Sequence, residues 1–186
     1  MRKIPLTILL IIVLTLCSNA IFSQATLSAD TLKSMLLKDW QRAKEYTQDY
    51  MKAMPAAKYS FKATDSVRSF AQQLLHLAQA NMYFASTATG EKYPYTGPDL
   101  EKTASAQSAD SVMYYVNKSY DFVINAIKTL PAANLMQPVT VNMGRPVTAS
   151  RLGLLMKAFE HQTHHRGQTT IYLRLAGAHP PNERLF

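Results

Sequence analysis

Cysteine is almost missing from this chain: its 186 residues hold one, Cys17, inside a segment that reads as a targeting signal. The folded part is therefore expected to have no disulfide, no cysteine nucleophile and no thiolate metal ligand. Long apolar runs are equally scarce. The one present, Ile4 to Cys17, follows the basic Met1-Arg2-Lys3 and carries no charge. A membrane-spanning helix needs about 20 apolar residues, and Ser18 and Asn19 interrupt this run first. Small residues at Ser18-Asn19-Ala20 and again at Ser23-Gln24-Ala25 complete the pattern of a cleavable secretory signal. We take the second site, which divides the chain into a signal over 1–25 and a domain over 26–186. The mature protein is then exported, periplasmic or secreted, with no stable membrane span. A lipoprotein signal through Cys17 fits less well, because Leu16 is bulky where such signals carry a small residue.

Clustered charge is also lacking. The formal net charge is +8, and removing Arg2 and Lys3 lowers it by two, to +6. Lys33, Lys38, Arg42, Lys44, Lys52, Lys58 and Lys62 are interspersed with acids and apolar residues. This describes a solvated surface, and no nucleic-acid motif accompanies it, so no specific nucleic-acid partner is expected. Repeats and low-complexity tracts are absent. What remains is an ordinary globular composition, 47% hydrophobic and 17% charged, at a length that suits one domain.

Apolar residues at three- and four-residue steps mark four helices. The first runs from about Ser28 to Met54, with Leu32, Met35, Leu36, Trp40, Ala43, Tyr46, Tyr50 and Met54 on one stripe and Pro55 as its stop. The second starts near Thr64 or Asp65 and passes Val67, Phe70, Leu74, Leu77 and Phe84 to about Ala88, before Gly90. The third spans about Ser108 to Leu130, with Val112, Val116, Ser119, Val123 and Ile127 aligned; Pro131 closes it. The fourth spans about Thr148 to Ala176, ahead of Gly177. The long link from Gly90 to Ser108 is a candidate lid. Between helices three and four, β-branched residues flank Asn142-Met143-Gly144, which reads as a short extended or hairpin-like crossover. The expected fold is all-α, a four-helix bundle with a long crossover. Such bundles build metal sites from side chains on facing helices.

Three of the five histidines fall within His161-Gln162-Thr163-His164-His165. Each helical residue advances about 100°, so His161 and His165 share one face, Gln168 and Tyr172 continue it, and His164 is displaced to the side. Two imidazoles four residues apart can hold one ion. His76, at the edge of the apolar arc of helix two, is the better-placed third ligand; His179 lies in the tail beyond Gly177. The alternative is a polar helix face and an internally hydrogen-bonded His76, and spacing alone leaves both open. A zinc-protease mechanism is excluded: Gln162 stands where the His-Glu-x-x-His pattern has its glutamate, and an amide is no general base.

The segment His161 to Gln168, with the histidine helix around His76, resembles the DinB/YfiT-like family of metal-dependent four-helix bundles, over roughly Leu32 to Phe186. The resemblance implies His76, His161 and His165 as ligands of a divalent metal. Imidazole nitrogen favours Zn or Ni, with Cu or Co also suited, over oxygen-seeking Mg or Ca. It further implies a metal-dependent hydrolase or a thiol-transferase-like enzyme acting on a small molecule. Export argues against thiol transfer, because low-molecular-weight thiols are mainly intracellular. A non-catalytic metal-binding or interaction module is the alternative, and a homodimer stays open.

Neighbouring residues carry paired readings. Arg166 pairs with a carboxylate on another helix or binds an acidic substrate group. Gly167 allows close helix packing, since glycine inside a helix costs about 1 kcal/mol relative to alanine. Gln168 and Tyr172 orient a water or line the core; Tyr83, Tyr93 and Tyr95 shape the entrance, with Glu91 to Pro98 over the mouth. A fourth protein ligand, Glu101 or Asp110, would instead close the site and mark a structural ion.

Overall fold

Four serines set the helix starts. Ser28, Ser69, Ser108 and Ser150 each accept a hydrogen bond from the backbone N–H three residues on, opening α1 (Ala29–Ala53), α2 (Phe70–Thr89), α3 (Ala109–Thr129) and α4 (Arg151–Leu175). Each such cap is worth about 1 kcal/mol. This is a computed structural model, and it describes residues 27–186. The expected signal over 1–25, Cys17 included, lies outside the described residues.

The helices form an all-α four-helix bundle in which α1 and α2 each pack against both α3 and α4. Consecutive helices α1 and α2 are thus opposite corners, as are α3 and α4, and the α3-to-α4 link must cross the bundle. That arrangement makes α2 and α4, the two histidine-bearing helices, neighbours. The interior is filled by Trp40, Phe70, Leu74, Leu77, Tyr120, Ile127 and Leu155, all fully buried. Trp40 meets Tyr120 and Phe159 edge-on at 5.8 and 5.4 Å. The α3 stripe from Val112 through Val116, Ser119, Val123 and Ile127 is buried as its spacing demands, whereas Met35 of the α1 stripe is exposed. Among the described residues, no helix is long and apolar enough to cross a membrane.

Two boundaries differ from the sequence reading. Helix α2 starts at Phe70, not near Thr64 or Asp65, because Ser69 and Gln72 form a reciprocal capping box: Gln72 N–H donates to Ser69 Oγ at 3.1 Å, and Ser69 N–H to Gln72 Oε1 at 2.9 Å. The next free amides, of Phe70 and Ala71, donate to the carbonyls of Phe61 and Tyr59 at 3.0 and 2.9 Å. Arg68 is therefore left outside the helix, free to reach across the site. Helix α4 starts at Arg151, not Thr148, because the crossover is a true hairpin. Strands β1 (Pro138–Asn142) and β2 (Pro146–Ser150) pair antiparallel, with Pro138 opposite Ser150 and Asn142 opposite Pro146. Gly144 closes the turn at φ +79°, a conformation that glycine adopts without a steric penalty.

Candidate metal centre

His161 and His165 sit one turn apart on α4, and their ring centroids lie 4.4 Å from each other. His76 enters from α2, 4.5 Å from the His165 ring and 5.2 Å from that of His161. One nitrogen from each ring falls within 4.8 Å of the other two, an arrangement that can hold a metal ion. His164 and His179 stand outside this group.

Neighbours hold two of the rings. Nδ1 of His76 donates to Oε1 of Glu101 at 2.6 Å, while the other oxygen of that carboxylate takes the Arg68 guanidinium. Glu101 lies in a short 3₁₀ turn, Leu100–Lys102, that is stitched to α2: its carbonyl accepts from Gln72 at 3.1 Å, and the Leu100 N–H donates to Gln79 Oε1 at 3.1 Å. Nδ1 of His165 lies 2.8 Å from Oε1 of Gln73. An amide oxygen only accepts, so the His165 proton sits on Nδ1 and Nε2 keeps its lone pair. Against its carboxylate, His76 likewise carries a proton on Nδ1 and turns Nε2 away from Glu101. His161 differs, for its Nδ1 is buried with no hydrogen-bond partner among the described residues.

Electrostatics keep the two α4 rings neutral. Burial, reinforced by the His76, His164 and Arg68 charges, pulls His161 down to about 4. Burial and then the neighbouring imidazoles, His161 first, pull His165 to about 3. Neutral imidazole is the form that binds a metal. Two rings with Nδ1 held by neighbours and a third with an orphaned buried nitrogen fit a divalent transition ion.

Other expected residues fall differently. Glu101 supports His76 instead of joining the centre, and Asp110 lies near Tyr59. Tyr172 is core lining: buried, it donates to the Arg68 carbonyl at 2.7 Å. Gln168 lies 3.0 Å from Nε2 of His164, and its Oε1 is buried without a partner among the described residues. Arg166 neither pairs with a carboxylate nor faces the site; it is buried, donates to Gln162 at 2.8 Å and stacks on Tyr46 at 4.6 Å. Gly167 permits no close packing, because a Cβ built on it meets nothing within 4 Å. Glu91 to Pro98 does not cover the site: Tyr95 packs on Tyr115 and donates to the Pro98 carbonyl. Tyr83 braces the hairpin through the Asn142 carbonyl at 2.9 Å.

Two cavities flank the histidines. One, of about 750 Å³, is polar and runs past Lys62, Arg68, Glu101, His164, His165 and Gln168. The other, of about 490 Å³, reaches His161 and His164 from under the hairpin. Sequence reasoning missed Glu101 and Gln73 as supports, and Arg68 entirely; only the capping box Ser69-x-x-Gln72 could have signalled that Arg68 lies outside the helix.

The model of the DinB family matches residues 24–184. The chain belongs to the DinB family. Its fold is that of DinB-like proteins already solved. A crystal structure from Bacillus cereus ATCC 10987 superposes with a TM-score of 0.66 at 22% identity, covering 80% of this chain and 95% of that one. One from Bacillus subtilis gives 0.61 at 17%, covering 82% and 96%. No curated protein matches this DinB chain.

Proposed function

We propose that this DinB protein is exported and binds one divalent transition-metal ion, zinc or nickel, through His76, His161 and His165, to hydrolyse a small molecule or transfer a group from it. The observation that carries this reading is the three-imidazole cluster itself, whose nearest carboxylate, Glu101, holds a ligand ring and leaves the centre open toward two cavities. Structural zinc sites are closed by four protein ligands, commonly cysteines.

When bound, such an ion supplies Lewis-acid chemistry, polarising an oxygen of substrate or water. The chain's own residues do the rest. Glu101 and Gln73 fix the His76 and His165 tautomers, Arg68 holds Glu101, and burial keeps His161 and His165 unprotonated. His164 and Gln168 offer hydrogen bonds to a polar group in the larger cavity. Export favours hydrolysis over transfer to a small thiol.

Elemental analysis of the purified protein tests the reading. Close to one transition-metal ion per chain is expected, lost on His76→Ala, His161→Ala or His165→Ala and kept on His164→Ala or His179→Ala. Loss with His179→Ala but not with His76→Ala would make the ligand set wrong. A protein that holds its ion yet turns over no ester, amide or phosphoester would be a non-catalytic metal-binding module.

A further inference from the structure

The two cavities at the histidines have opposite chemistry. The larger is walled by charged and amide side chains. The smaller is walled by Phe84 of α2, Val141, Met143 and Val147 of the hairpin and Leu154 of α4, and it ends at His161. Both volumes, about 750 and 490 Å³, fall in the range of about 300–1,000 Å³ typical of small-molecule sites.

The hairpin is what makes the apolar side. Val141 is buried and anchors it, while Val147 and Met143 remain 37% and 56% exposed. Apolar side chains are thus held toward the cleft instead of being drawn into the bundle. The hairpin is also braced: Tyr83 binds the Asn142 carbonyl at 2.9 Å, and the Arg151 and Leu152 amides bind the Gln137 and Leu135 carbonyls at 2.9 and 2.8 Å. The cleft is therefore formed before any ligand arrives. Its rim charges, Lys157 and Glu160, pair with each other at 2.6 Å. They offer little to a charged occupant. A second apolar groove, between α1 and α4 along Met35 and Met156, does not reach the histidines.

We propose that the substrate of this site carries an aliphatic chain, which lies in the cleft beneath the hairpin while its polar end sits on the histidines, facing the Arg68 side. This rests on the reading of the three histidines as the reacting centre. Aliphatic walls and a single aromatic ring, Phe84, already in edge contact with Tyr83 and His161, match a saturated chain better than a stacked ring system.

Methyl-labelled methionine makes the cleft observable by NMR in the mature chain. Acetate, hexanoate and decanoate, each below its micellar concentration, are titrated with and without one equivalent of zinc; Met143→Leu assigns the reporter signal. The Met143 methyl should shift with an affinity that rises with chain length, by up to about fourfold per methylene. Val147→Asp should weaken decanoate at least tenfold, and Val147→Ala by a smaller factor should the aspartate disturb the hairpin. No chain-length dependence at Met143, or equal shifts at Met35 and Met156, overturns the proposal. So does a Met143 shift that tracks protein concentration without ligand, which would make the cleft a contact between copies. Zinc should tighten decanoate binding in the wild type and not in His161→Ala. Chain-length dependence that zinc leaves unchanged overturns the link between cleft and centre, whereas failure of zinc to bind at all sinks the reading of the histidines and is seen separately in the zinc titration.

Discussion

Nδ1 of His76 on α2 lies 2.6 Å from Oε1 of Glu101, in the segment that leads to α3. That bond decides which nitrogen His76 presents to the centre. A carboxylate behind a metal-binding imidazole fixes its orientation and raises its basicity.

Glu101→Ala should therefore lower metal affinity by about 10–100-fold, as loss of such supports does. Glu101→Gln, which can still accept a hydrogen bond, should lose less. Competition against a chromogenic chelator measures both, and thermal unfolding of the metal-free proteins separates the effect from a general loss of fold. Equal affinities for wild type and Glu101→Ala would remove Glu101 from the centre.

The metal-free protein should lose stability in mild acid. His161 and His165 titrate near 4 and 3 in the fold, below the usual imidazole value of about 6.5 in an unfolded chain. Between those values the unfolded state binds more protons, so stability is full above about pH 6.5 and falls as pH drops toward 4. A His161→Gln, His165→Gln double variant should show a shallower fall in Tm between pH 7 and 4.5. Parallel Tm curves would contradict the assignment.

Gly167→Ala should stabilise the protein by about 1 kcal/mol, the usual cost of a glycine inside a helix. Gly167 is exposed in the middle of α4, and a Cβ there meets nothing within 4 Å. Urea unfolding measures the gain. A loss of stability would show that the glycine serves a close approach absent from this structure.

Export should remove the residues up to Ala25, or up to Ala20 if the first site is cut. Mass analysis of protein recovered from a bacterial host should show a chain shorter by about 20 to 25 residues. A full-length chain in the cytosolic fraction would end the export proposal.

Much of the bundle was legible in local pattern. The α3 stripe is buried residue for residue, and Ser28 and Ser108 start their helices where periodicity placed them. The starts of α2 and α4 were misplaced because competing local signals had no visible ranking. Thr64 and Asp65 are good caps by residue type, but the Phe61 and Tyr59 carbonyls favour Ser69 by taking the next amides. Thr148 lies in a strand because its partner across the hairpin is Thr140, a pairing no helix pattern reveals.

The sequence by itself determined the histidine pair on one helix face, since a spacing of four residues is enough for that, and it determined the helix-borne position of His76. It also determined, through its lone Cys17, that no thiolate ligand is available after residue 17. The tertiary structure decided which helices adjoin. Placing α2 beside α4 brought His76 to the pair and Gln73 behind His165, the turn stitched to α2 put Glu101 behind His76, and the contact of α4 with α1 took Arg166 into the core against Tyr46. These contacts join residues far apart in the chain, and burial of whole helix faces selects them, a choice made by the packing of the bundle and not by any one segment.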